Sequence, residues 1–122
     1  MQIHETYLGT DRRDNFAGVD AGTLQKNQWS ISESWNADQE KIYSSKLPVN
    51  LNMNFHAAEA NLVMDGNAEA EVIIDGEFYK KITIDGPRLY NIYTSTDETY
   101  TEHEVQINFT GQEIEAFAWT FG

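Results

Sequence analysis

From Val49 to His56 the chain alternates without exception: Val49, Leu51, Met53 and Phe55 are apolar, and Asn50, Asn52, Asn54 and His56 between them are polar. Successive side chains of a strand point to opposite faces, so this pattern puts four apolar groups on one face and four polar groups on the other. A helix would scatter the same residues around its axis. The segment reads as a half-buried antiparallel strand, and its apolar face demands a second layer to cover it. Val105, Ile107 and Phe109 alternate in the same way with Glu104, Gln106 and Asn108, and Trp29, Ile31 and Trp35 share a face opposite Ser30, Ser32 and Ser34.

From Trp29 onward such runs are interrupted every eight to ten residues by glycine, asparagine or aspartate, the spacing of a sandwich or barrel. Asp75-Gly76 between Val72-Ile73-Ile74 and Phe78-Tyr79 predicts a tight hairpin, because a type I′ turn needs two residues tolerant of positive φ. Further breaks are expected at Asp65-Gly66-Asn67, Asp85-Gly86-Pro87 and Thr110-Gly111. Asp11 to Ala17 is expected to form a turn or short helix, Ala37 to Tyr43 is ambiguous, and Gly18 to Asn27 is polar enough for a long loop. With 122 residues, the chain reads as one all-β domain, a two-sheet antiparallel sandwich able to hide about two thirds of its unfolded surface without staples.

The absence of cysteine removes thiol redox chemistry, cysteine nucleophiles and thiolate metal sites. Eight basic residues against twenty acidic ones, a net charge of −12, would repel phosphate backbones and anionic lipid, so neither nucleic acid nor membrane insertion is expected. His4, His56 and His103 fall in no spaced pair of the kind a zinc site uses, and no metal or other cofactor is expected. The serines around Ile31 lack a Gly-x-Ser-x-Gly elbow. Asp65, Asn67 and Glu69 read as an acidic turn, short of a calcium loop.

The aromatic residues at Trp29, Trp35, Phe55 and Phe109 occupy apolar positions and are assigned to the core. In the strand after Gly86-Pro87, Arg88, Tyr90 and Ile92 share one parity, which offers Arg88 and Tyr90 to the asparagine face of the strand at 49–56. Asparagine is depleted in strands, because its amide competes for backbone hydrogen bonds and packs poorly on a pleated surface. Two readings fit: a solvent-facing strand where asparagine costs little, or a ligand-binding set of Asn52, Asn54 and His56 joined by Arg88 and Tyr90, with no catalytic residue among them.

Glu5-Thr6-Tyr7-Leu8-Gly9, then Arg12-Arg13 and Phe16-Ala17, resembles the opening of the C-terminal domain that follows the thioredoxin-like domain in DipZ-type cytochrome c biogenesis and thiol–disulfide exchange proteins. Leu24 with Asn27-Gln28-Trp29-Ser30-Ile31 and Trp35, Phe55-His56-Ala57 with Asn61-Leu62-Val63, Val72 to Gly76, Arg88-Leu89-Tyr90 and the closing Ala116 to Gly122 agree in order. The resemblance implies a jelly-roll sandwich similar to carbohydrate-binding modules and galactose-binding-like domains. It also implies an extracytoplasmic setting, a place at the C-terminus of a longer chain, and a thioredoxin-like domain of that chain as partner. The reading that follows is a non-catalytic accessory domain with carbohydrate or another polar molecule as candidate ligand. The alternatives are a purely structural domain that docks the thioredoxin-like domain, and a small jelly-roll hydrolase.

Overall fold

A computed structural model describes residues 4–11, 13–96 and 101–122. Arg12 lies outside them. Among the described residues ten strands follow in order: β1 (His4–Tyr7), β2 (Phe16–Val19), β3 (Trp29–Ile31), β4 (Asn36–Ala37), β5 (Ile42–Ser44), β6 (Val49–Ala57), β7 (Glu59–Ile74), β8 (Glu77–Asp85), β9 (Arg88–Thr94) and β10 (Thr101–Phe121). Of the turn or short helix expected over Asp11–Ala17, the turn is present at Asp11 and no helix forms among the described residues. Phe16–Val19 is instead a strand parallel to β3, and Arg13 bridges to Tyr7.

The architecture rests on β7 and β10, which pair antiparallel along almost their whole length. Their two halves have different neighbours. Residues 101–109 of β10 pair β6, which pairs β3, while residues 67–74 of β7 pair β8. Beyond that point residues 114–116 of β10 pair β5, residues 118–121 pair β1, and residues 59–64 of β7 pair β9. One hydrogen-bonded sheet is thus folded over into two layers, a β-sandwich of the jelly-roll kind.

The fold line passes through Gly66 and Gly111, both at positive φ (133° and 121°). The paired backbones approach so closely there that a Cβ on Gly66 would sit 2.6 Å from the Glu113 carbonyl oxygen, and one on Gly111 2.9 Å from Ala68 Cα. The breaks expected at 65–67 and 110–111 are therefore corners inside continuous strands. The Asp75-Gly76 hairpin and the Asp85–Pro87 turn fall where the sequence places them.

Register keeps the apolar residues inside. Val49, Leu51, Met53 and Phe55 of β6 are buried, as are Leu62, Met64, Ala68, Ala70 and Val72 of β7. In β10 the inward positions are 105, 107 and 109, then 114 and 116, then 119 and 121. The parity changes at bulges between Gly111 and Glu113 and between Ala116 and Ala118, since one extra residue turns every later side chain to the other face. Phe55 stacks against Phe121 at 5.7 Å across the two layers, and Trp35 meets Phe109 edge-on at 5.8 Å.

Candidate functional site

The outer face of the first layer carries a ladder of amides and acids. β6 presents Asn50, Asn52, Asn54 and His56, and the register sets them opposite Asn108, Gln106, Glu104 and Glu102 of β10. Asn52 Nδ2 donates to Asn50 Oδ1 at 3.0 Å, and Gln106 Nε2 to Asn108 Oδ1 at 2.9 Å. Among the described residues Asn50 Nδ2, Asn52 Oδ1 and Gln106 Oε1 have no hydrogen-bond partner, so the face offers both a donor and acceptors. The Asp20–Gly22 segment stands over it and encloses a polar groove of about 330 Å³ lined also by Asn50, Asn52, Glu104 and Gln106. A neighbouring depression of about 380 Å³ shares Asp20 and Asn50 and extends toward Ser32, Glu33 and Asn108.

The five residues expected to converge do not all meet. His56 is exposed at the end of β6 and Asn52 lines the groove. Asn54 is buried: the backbone of Asn27 and Gln28 pairs with it on one side, and its Nδ2 donates to Glu102 Oε2 at 3.0 Å. Arg88 and Tyr90 belong elsewhere, because β9 pairs with β7 in the second layer and has no edge shared with β6. Tyr90 points into the core. Its hydroxyl donates to the Gly86 carbonyl (2.7 Å) and accepts from the Asp85 N–H (3.1 Å), closing the β8–β9 turn. Arg88 lies over the Tyr90 ring and pairs with Asp85. Parity reported correctly which residues share a face of β9, but it carries no information about which layer the strand joins.

A second groove, of about 540 Å³, lies on the outer face of the second layer and was not foreseen. Tyr7, Val63 and Phe117 form its walls with Pro87, and Glu5, Asp11, Gln39 and Glu40 surround it. The segment after β1 is laced to the 38–41 turn by Thr10 N to Asp38 O (2.8 Å) and Asp11 N to Gln39 O (3.0 Å). Gly9 fits under this turn because a Cβ there would reach 2.2 Å from the Glu40 carbonyl carbon. Asp38 Oδ1 accepts the N–H groups of Glu40 and Lys41, and chiefly the Glu40 bond holds its carboxyl below the ordinary value. Lys41 Nζ sits 2.6 Å from Glu115, which raises its pKa, and 5.7 Å from the centre of the Phe117 ring.

At one end of the sandwich His103 joins its near neighbour Thr101 to Tyr93 and to Asp75, 28 positions away. Its Nδ1 is 2.6 Å from Asp75 Oδ2, and its Nε2 is 2.7 Å from Thr101 Oγ1 and 3.1 Å from the Tyr93 hydroxyl. Asp75 Oδ1 accepts the Glu104 N–H at 2.9 Å and the Asp75 N–H donates to the Glu104 carbonyl at 2.8 Å. The carboxylate thus clamps the β7–β8 turn onto β10. Nothing in the spacing of these residues announces the cluster; the β7–β10 register creates it. Among the described residues no group of three or more His, Cys, Asp or Glu side chains gathers as a metal-ligand set, and no helix is long and apolar enough to cross a membrane.

With the fold and its surfaces in view, comparison with known proteins gives a family: residues 3–122 match the thioredoxin-like C-terminal domain. The chain belongs to that family. None of the curated proteins matches this thioredoxin-like C-terminal domain. Among solved structures it is similar to a family two carbohydrate esterase from Cellvibrio japonicus, with a TM-score of 0.75, 13% identity, and coverage of 98% of this chain and 33% of that one. It is also similar to a family two carbohydrate esterase from Clostridium thermocellum in complex with cellohexaose (0.69, 14%, 77% and 31%). An acetyl xylan esterase from the rumen bacterium Butyrivibrio proteoclasticus gives 0.59, 10%, 80% and 32%. The domain spans about a third of the length of each of these chains, and at such identities the likeness establishes the sandwich alone.

Proposed function

We propose that this is a non-catalytic accessory domain, a single sandwich that stands C-terminal to a thioredoxin-like domain in a longer extracytoplasmic chain and binds a carbohydrate-class ligand. The observation that carries the reading is the polar groove over β6 and β10. Asn50, Asn52 and Gln106 supply amide donors and acceptors, and Asp20 and Glu104 supply carboxylates, a mixture that suits the vicinal hydroxyls of a sugar, each of which both donates and accepts. The family supports the partner domain, since it is defined as the C-terminal portion of thioredoxin-like proteins.

The Asp75–His103–Thr101 line has the order of an acid, an imidazole and a hydroxyl, which is the arrangement of a nucleophilic hydrolase. Asp75 is committed through both oxygens to holding the hairpin against β10, and this favours a clamp over a catalytic role. The test of the binding function is a glycan array followed by calorimetric titration with the oligosaccharides retained, cellohexaose included. Asn52→Ala and Gln106→Ala are each expected to weaken binding about fivefold, near 1 kcal/mol for one hydrogen bond. Arg88→Ala, in the other layer, is expected to change nothing. Retention of no glycan, or equal weakening by Arg88→Ala, would refute the site.

A further inference from the structure

The groove of the second layer has a different chemistry from the amide face, and it calls for a different ligand. Its walls are the Tyr7 and Phe117 rings with Val63 and Pro87, and the charged groups around it are Glu5, Asp11 and Glu40. The Tyr7 hydroxyl is already donated to Glu5 Oε2 at 3.3 Å. Apart from the Gln39 amide, the polar side chains around this groove therefore present acceptors, where a sugar would require donors as well. Lys41, next to Glu40 in the chain, is paired with Glu115 at 2.6 Å, and among the described residues Glu5, Asp11 and Glu40 take part in no salt bridge. Lys41 also shows the geometry available to a cation here, lying between the Phe117 and Tyr43 rings at 5.7 and 6.0 Å.

An apolar aromatic wall crowned by three carboxylates that form no salt bridge among the described residues complements a long aliphatic stem that ends in a positive charge. We propose that this groove is a docking site for a basic polypeptide segment, with a lysine or arginine side chain laid along Phe117 and its charge among Asp11, Glu5 and Glu40. The volume of about 540 Å³ is ample for one such side chain with its flanking backbone. The site is independent of the amide face, and each stands if the other fails.

The experiment titrates the 15N-labelled domain with a blocked hexapeptide that alternates lysine and serine, following amide shifts, with the matching glutamate peptide and 1,5-diaminopentane as comparators. Saturable shifts are expected around Gly9, Gln39, Val63 and Phe117 with the lysine peptide alone, weakening about tenfold between low salt and about 0.5 M salt. Asp11→Asn with Glu40→Gln is expected to lower affinity about tenfold, and Phe117→Leu, which keeps the bulk and removes the ring, about threefold. Glu71→Gln with Glu77→Gln, on the β7–β8 hairpin, removes the same charge and is expected to stay within about twofold of the native protein. An equal loss in both double variants would mean that the net charge of −12 attracts the peptide without a site, and would overturn the proposal. So would the absence of saturable shifts, an unchanged affinity in Phe117→Leu, or diaminopentane binding as tightly as the peptide.

Discussion

Gly66→Ala is the sharpest test of the folded-over sheet. Gly66 has φ of 133°, a region that costs a residue with a Cβ about 1–3 kcal/mol. The added methyl would also lie 2.6 Å from the Glu113 carbonyl oxygen, about 0.7 Å inside normal contact, and the obstacle is backbone in the ladder of β10. Relief requires shifting two paired strands at their corner, an overpacking cost of about 1–3 kcal/mol. Together these span about 2–6 kcal/mol, and about 3–4 is expected. Gly86 serves as the internal reference, because its φ is 132° while nothing lies within 4 Å of its would-be Cβ; Gly86→Ala should lose the strain alone, about 1–3 kcal/mol. Gly22, in open space at an ordinary φ, should tolerate alanine within about 0.5 kcal/mol. Urea unfolding followed by tryptophan fluorescence reads the series, and at a slope of about 1.5 kcal/mol/M the Gly66 variant should lose about 2 M in midpoint. If Gly66→Ala and Gly86→Ala lose the same amount, the close approach is wrong; if Gly66→Ala matches the native protein, β7 does not turn its corner there.

Trp29 is fully buried and donates its Nε1–H to the Asp14 carbonyl at 2.7 Å, so Trp29→Ala should cost about 3–5 kcal/mol in the same assay. The half-buried Trp35 should lose less, about 2 kcal/mol, and a larger loss at Trp35 than at Trp29 would contradict the packing. Asp75→Asn and His103→Gln should each destabilise by about 1–2 kcal/mol without altering hydrolysis of an activated ester; an esterase rate above background that vanishes in Thr101→Ala would show that the cluster is catalytic. The lowered pKa of Asp38 means that its contribution is complete above its ordinary value of 3.8 and disappears as pH falls through the lower folded value. Stability measured from pH 5 down to about 2 should therefore fall less steeply in Asp38→Asn than in the native domain, and parallel profiles would rule out that linkage.

Period-two alternation in residues 49–56 and 104–109 was sufficient for strands, their inward faces and an all-β sandwich, because burial of one face is a local consequence of side-chain geometry. Asp75-Gly76 was equally legible, since the turn depends on two adjacent φ angles. Gly66 and Gly111 look like strand breaks in the sequence for a physical reason: glycine at positive φ looks the same there whether the chain turns back or bends onto a second layer, and only the approach of Glu113 and Ala68 distinguishes the two. The candidate site divides along the same line. The asparagine ladder of β6 was visible because it lies within one strand, and its partners on β10 follow from a long-range register. Arg88 and Tyr90 went astray because their strand pairs with the other half of β7. The second groove draws on β1, the 38–41 turn, β7 and β10, and the His103 cluster joins residues 28 positions apart. Local alternation determines which side of a strand is wet, while the pairing of distant strands, which the chain settles only by burying its whole core at once, decides which wet residues become neighbours.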